Sequence, residues 1–176
     1  MSEDTCILTT KDFTILEIML DRCRHRNDPL TPLMERKIAT AQVVLRADVP
    51  PNVVTLGSRV AFSVDNRDSD TRVVTADGAS APVGMFLPIT SPRGLALLGL
   101  AEGQTFRLAG REGVVESIFL EALHYQPEAA RREREAMEGL LRPGNGKPAL
   151  RVIHGALSDD GGLRPRSHDD PGPRSA

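Results

Sequence analysis

The chain has 176 residues, 40% of them hydrophobic and 26% charged, which suits one compact domain with attachments. A formal net charge of -2 and a pI near 6.1 leave no basic stripe for neutralising phosphates, so direct sequence-specific DNA binding is not expected. Aromatic residues at 3% and the absence of tryptophan disfavour base-stacking platforms and aromatic-lined ligand pockets.

The opening "MSEDTCILTTKDF" has neither a basic n-region nor an apolar h-region, and no apolar run reaches the ~20 residues that cross a bilayer. A cytoplasmic protein with no membrane partner is expected, its Cys6 and Cys23 held as reduced thiols.

Residues 1 to about 48 read as helical. In "TTKDFTILEIMLDRCR" Thr10 is the expected N-cap and Asp12 lies in the first turn. Phe13, Leu16, Leu20 and Cys23 recur at spacings of three and four, with Ile15, Ile18 and Met19 widening the stripe. "HRNDPLTP" breaks the pattern, and a second helix is expected through "PLMERKIATAQVVLRA", with Thr31 as N-cap and Pro32 at the first helical position. Leu33, Met34, Ile38, Ala41 and Leu45 fall on one face of it. Two such helices joined by a short turn form an antiparallel hairpin.

From about 51 to 126 the period changes. "SRVAFSVDN" alternates Val60, Phe62 and Val64 inward against Arg59, Ala61 and Ser63. "TRVVTAD", "VGMFLPIT", "QTFRLA" and the long "VVESIFLEALHY" read as further strands, with turns at "NRDSD", "DGASAP" and "GREG". Between them "SPRGLALLGL" is a short helix capped by Ser91, opened by Pro92 and closed by Gly99. Most of Leu95, Leu97, Leu98 and Leu100 are expected in the core and one of them exposed. The fold class is α+β with a mainly antiparallel sheet. "QPEAARREREAMEGLLRPG" reads as a surface helix with Pro127 at its first position. Eleven of the last 34 residues are proline or glycine, so a disordered tail is expected, interrupted by the apolar island "ALRVIHGAL". The division is therefore a helical hairpin at 1–50, a sheet domain at 51–127 and a helix with tail at 128–176.

Motifs for catalysis are missing. No CxxC or HxxxH spacing supports metal ligation by Cys6, Cys23, His25, His124 or His154. There is no GxSxG elbow, and "LGSRV" reads as a turn entering a strand. No phosphate-binding glycine loop occurs in a strand-to-helix context. Carboxylate pairs such as Asp68 and Asp70, Asp159 and Asp160, or Asp169 and Asp170 fall in expected loops or tail, with nothing to desolvate them. No catalytic residue, cofactor or metal is expected.

"VVTLGSRVAF", then "ITSPRGLALLGLAEGQTF", then "LEALHYQP" together resemble the C-terminal domain of the GreA/GreB transcript-cleavage factor family. The likeness runs over roughly residues 51 to 127. It implies an FKBP-like antiparallel sheet around one short helix. The short N-terminal hairpin and the Tyr125 to Ala129 string resemble the Rnk-like branch of that family. The resemblance further implies a non-enzymatic regulator that binds RNA polymerase near its secondary channel, docking on the rim helices of the largest subunit. Carried over by position, Ile89, Thr90, Ser91 and Pro92 are the implied contacts, against the plainer reading that they only cap and pack a helix. Cleavage factors bear acidic residues on a coiled-coil tip, in a hairpin about twice this length, that help bind magnesium. Here ~14-residue helices reach only about 21 Å, and Asp21 and Asp28 are outnumbered by Arg22, Arg24 and Arg26. Gly103-Gln104 stands where the family has Gly-Asp. The tip residues Arg22, Arg24, His25, Arg26 and Asp28 are either a solvated turn or a regulatory contact with acidic polymerase surface. A monomer is expected. Three rivals stay open: cleavage through Asp21 or Asp28, prolyl isomerisation suggested by the FKBP-like topology alone, and an adaptor acting through its tail.

Overall fold

The chain enters on an edge-to-edge pairing that its helical texture hides. The computed structural model describes residues 6–76, 84–109 and 114–141; the expected turns "DGASAP" and "GREG" and the tail with its island fall outside them wholly or in part. Strand β1 (Cys6–Thr9) leads directly into helix α1 (Thr10–Arg24), and helix α2 (Thr31–Thr40) leads directly into strand β2 (Ala41–Val44). β1 and β2 pair in parallel, Cys6 opposite Ala41 and Thr9 opposite Val44.

This corrects the helical reading of residues 1 to 48 at both ends. The first helix is capped by Thr9 and not Thr10: the Thr9 hydroxyl accepts from the Asp12 amide at 3.1 Å. The second helix stops at Thr40, and Ala41 to Val44 take up strand geometry, as the β-branched side chains of Val43 and Val44 favour once β1 supplies a partner. Leu45 lies beyond it and is exposed. Nor does Thr31 cap α2. Leu30 occupies that position without a side-chain bond, the Asp28 carboxylate accepts from the Leu30 amide at 2.9 Å, and the buried Thr31 hydroxyl has no partner.

The larger sheet has the order β5-β4-β3-β7-β6, built from β3 (Arg59–Val64), β4 (Asp70–Thr75), β5 (Phe86–Pro88), β6 (Thr105–Ala109) and β7 (Val115–Tyr125). β3 pairs antiparallel with β4 and β7, and β6 with β7, whereas β4 and β5 run parallel, so the sheet is mixed. Ala61 and Ser63, expected outward, are buried with Val60 and Phe62, because β3 is the central strand and its small side chains are covered by their neighbours. Asp70, expected in a loop, opens β4 and holds Arg72 at 2.6 Å.

Helix α3 (Pro92–Leu97) is capped as the sequence implies: Ser91 Oγ accepts from the Gly94 amide at 3.2 Å, and Gly99 has a φ of 78°. Leu95, Leu97, Leu98 and Leu100 are all buried, against the expectation that one would face solvent. After Leu97 the backbone leaves the helix and threads between two segments. The Gly99 amide donates to the Val54 carbonyl at 2.8 Å, and the Gly99 carbonyl accepts from the Ile7 amide at 3.0 Å. One core joins Leu16, Leu20 and Met34 of the hairpin to Leu95 and Leu97 of α3 and to Val60, Ile118 and Leu120 of the sheet.

Helix α4 (Pro127–Leu141) is fixed at its base. Gln126 Nε2 donates to the carbonyls of Pro50 and Val53 at 2.8 and 2.6 Å. Glu128, buried, accepts from Thr55 Oγ1 at 2.6 Å and lies 3.6 Å from Arg46. From Glu133 to Leu141 every side chain is exposed. Among the described residues no helix is long and apolar enough to cross a membrane, and Cys6 and Cys23 are unpaired.

Asp12 is buried near this base, and its Oδ2 has no partner. Burial pushes its carboxyl up; hydrogen bonds from Thr9 and Leu56 offset part of that, and the Glu128 charge adds to it. A carboxyl raised by folding binds a proton more readily in the native state, so stability falls as pH rises through the folded-state value. Asp12→Asn should therefore gain most over the wild type at neutral pH, the gap closing towards about pH 3, below the usual carboxylate range. Thermal melts across that range check this, and a gap independent of pH would refute it.

Candidate functional site

Ser91 and Pro92 begin a helix and line a surface at the same time. The Ser91 hydroxyl is held from both sides, donating to the Pro88 carbonyl at 2.6 Å while accepting from Gly94. Gly94 is required there, because a Cβ on it would lie 2.2 Å from the Pro88 carbonyl oxygen. The corner is therefore tight, with Thr90 and Pro92 exposed and Ser91 half-buried. Ile89 does not belong to the surface: its side chain is fully buried and its amide continues the sheet to the Thr75 carbonyl at 2.8 Å. Of the four residues carried over by position, Thr90, Ser91 and Pro92 are available to a partner and Ile89 is core.

The turn of the hairpin lies against the same corner. A groove of about 660 Å³ is lined on one side by Asp28, Pro29, Leu30 and Leu33 and on the other by Thr90 to Arg93, with Leu87, Leu108, Ala109 and Glu116 completing it. Leu30 is buried in the common core, which seats the start of α2 beside α3. The walls are largely leucine and proline. The rim carries charge: Arg93 grips Glu116 through Nε and Nη2, both at 3.0 Å. The Arg93 hydrogen bond holds the Glu116 carboxyl below its ordinary range and raises the guanidinium in turn. Such a groove suits an apolar side chain entering between polar flanks.

The tip residues are not equivalent. Arg24 is tied across the hairpin to Glu35 at 2.8 Å. His25 and Asp21 stand 3.9 Å apart, one turn from each other and well exposed. Arg22 and Arg26 are exposed, and Asn27 turns the chain with a φ of 50°. Asp28 serves the Leu30 amide, and half-buried Cys23 has its thiol pushed up by burial, with Asp28 adding to it. Asp21 and Asp28 are thus on different duties, and among the described residues no three His, Cys, Asp or Glu side chains converge as a metal-holding group.

Sequence reasoning did not mark Leu30, Leu33, Leu87, Leu108, Arg93 or Glu116 as site residues. Only tertiary packing brings them together, although the apolar positions of α2 carried a partial signal in Leu33. The Leu-Gly-Ser turn and the Tyr-Gln-Pro-Glu-Ala string have a structural role. Gly57, with a φ of 91°, lets the turn approach Pro127, where a Cβ would lie 2.9 Å from that ring, and Gln126 and Glu128 anchor α4.

No family model matches the chain. It is similar to the regulator of nucleoside diphosphate kinase of Escherichia coli strain K12, 28% identical over 131 residues that cover 74% of this chain and 96% of the relative. The same identity and coverage hold for the protein of that name from Shigella flexneri. Among solved structures it is similar to a prokaryotic transcription elongation factor GreA/GreB from Nitrosomonas europaea, with a TM-score of 0.54 and 28% identity over 68% of this chain and 99% of that one. The sequence relatives bear out the resemblance to the Rnk-like branch and the solved structure bears out that to the GreA/GreB family, and these relatives are bacterial.

Proposed function

We propose that this chain is a non-enzymatic transcription regulator that binds RNA polymerase near the secondary channel, acting as a monomer and docking on the rim helices of the largest subunit. Similarity to a regulator and to an elongation factor supports the class. The observation that carries the docking reading is the groove: exposed Thr90 and Pro92 and the turn of the hairpin line one apolar surface, so a partner element seated on the corner also meets the hairpin. The hairpin is too short to reach an active site, with α1 of 15 residues spanning about 22 Å. Asp28 is engaged by the Leu30 amide and Asp21 stands alone beside His25, which leaves the tip poorly furnished for magnesium. Such a factor would compete with longer channel-binding proteins.

Pull-down with core polymerase tests the reading. Wild type should be retained, and Thr90→Arg or Pro92→Glu should weaken binding about tenfold, as expected for residues at the centre of an interface. Both variants keep the Ser91 cap, so their melting temperatures should stay near wild type. Unchanged binding removes the corner from the site. Stalled elongation complexes should show no faster transcript shortening; shortening lost on replacing Asp21 and Asp28 would establish cleavage instead. Turnover of a prolyl peptide would establish an isomerase.

A further inference from the structure

Lys37 sits where lysine is rarely found, with 2% of its surface exposed. Its Nζ donates to the Leu98 carbonyl, lies 3.7 Å from Cys6 Sγ, and stands 5.3 Å from the centre of the Phe106 ring. Those neighbours belong to the segment after α3, to β1 and to β6, while Lys37 itself is on α2. One ammonium group thus spans the joint between the hairpin and the sheet domain. Arg36 reaches the same ring from the solvent side, 5.7 Å from its centre. Burying a cation is unfavourable, and an apolar side chain of equal length could fill the space without that penalty. A directional donor does what an apolar filler cannot, because it fixes the rotation and height of α2 against the Leu98 carbonyl.

We propose that Lys37 is a positioning residue that locks the hairpin at one angle on the sheet domain and so holds the groove between Leu33 and Pro92 open in a single shape. Its role in binding rests on the polymerase-docking reading above; its role in the joint does not. Loss of the lock leaves the core apolar and folded, while β1 and α2 separate locally from Gly99 and Leu98. If the docking geometry is then populated only about a tenth of the time, apparent affinity falls about tenfold.

Amide hydrogen exchange of the full chain tests this with Lys37→Met. Exchange in the segments spanning Cys6–Thr9 and Thr31–Thr40 should quicken by about tenfold or more while β3 and β7 stay as protected as in the wild type. Lys37→Arg, which keeps the cation and its donors, should stay closer to wild type than Lys37→Met. Should the methionine variant fail to fold, Lys37→Gln carries the same measurement. Unchanged exchange at β1 and α2, or an equal loss of protection across the whole sheet, overturns the proposal. Polymerase binding is read on the same variants. Wild type that fails to bind removes the docking reading but leaves the exchange result to judge the joint. Loosened exchange with undiminished binding overturns the link between joint and groove.

Discussion

Gly99→Ala is expected to destabilise the protein by about 2–5 kcal/mol, a large share of the roughly 5–15 kcal/mol that holds a typical domain folded. Two independent effects add. Gly99 has a φ of 78°, where any side chain is strained by about 1–2 kcal/mol. A Cβ there would also lie 2.5 Å from Cys6 Sγ and 2.9 Å from both the Ile7 carbonyl oxygen and a Leu8 methyl. Overfilling a packed site of this kind costs a further 1–3 kcal/mol, roughly. Gly103 supplies the control, because its φ is 82° but a Cβ would meet nothing within 4 Å. Gly103→Ala should therefore show the strain alone. Urea denaturation of the two variants measures the difference, and equal losses would sink the packing argument.

Glu128→Ala is expected to cost about 2 kcal/mol, in the range for a hydrogen bond to a buried charged group. The carboxylate accepts from Thr55 Oγ1 at 2.6 Å and draws Arg46 to 3.6 Å, tying α4 to the turn at Thr55 and to the segment after β2. Thr55 keeps its contact with Ser58 at 3.1 Å and Arg46 is free to turn to water, so the loss stops short of what an orphaned charge would produce. The removal also relieves Asp12 of a neighbouring negative charge. Glu128→Ala should accordingly cost more in an Asp12→Asn background than in the wild type, an interaction that a double-mutant cycle at pH 7 resolves. Additive losses would show that the two carboxylates do not influence one another.

Much of the fold was legible because its signals are local. Ser91 followed by Pro92 gives a cap and a first helical residue, and the alternation in Arg59 to Val64 gives a strand. β1 and β2 were hidden for the opposite reason. Each is four residues long, and neither has a strand's reason to exist until the other lies beside it across the whole hairpin. The burial of Leu98 and Leu100 likewise comes from backbone pairing with Val54, with β1 close by, which no helical count reveals. Nothing local marks Lys37 or Glu128 for burial, since charged residues usually face solvent; their partners at Leu98 and Thr55 are 61 and 73 residues away along the chain. The site was half legible. The Ser-Pro corner announces itself, whereas Ile89, its apolar neighbour, reads equally well as core, and the leucines of the opposite wall belong to a different part of the chain.

The pairing of β1 sets a timetable for the protein during its synthesis. Cys6 to Thr9 leave the ribosome before either of their partners: one side of this strand waits for Ala41 to Val44 and the other for Gly99. The central strand β3 waits longer still, for β7 to emerge as far as Tyr125. Helices α1 and α2 can form as they appear, but with their apolar faces uncovered, since the leucines of α3 that complete the core come much later in the chain. Contacts this distant are slow to close, and exposed apolar faces invite association with other chains in the interval. The nascent hairpin therefore stays open to such association until the sequence "SPRGLALLGL" has followed it out.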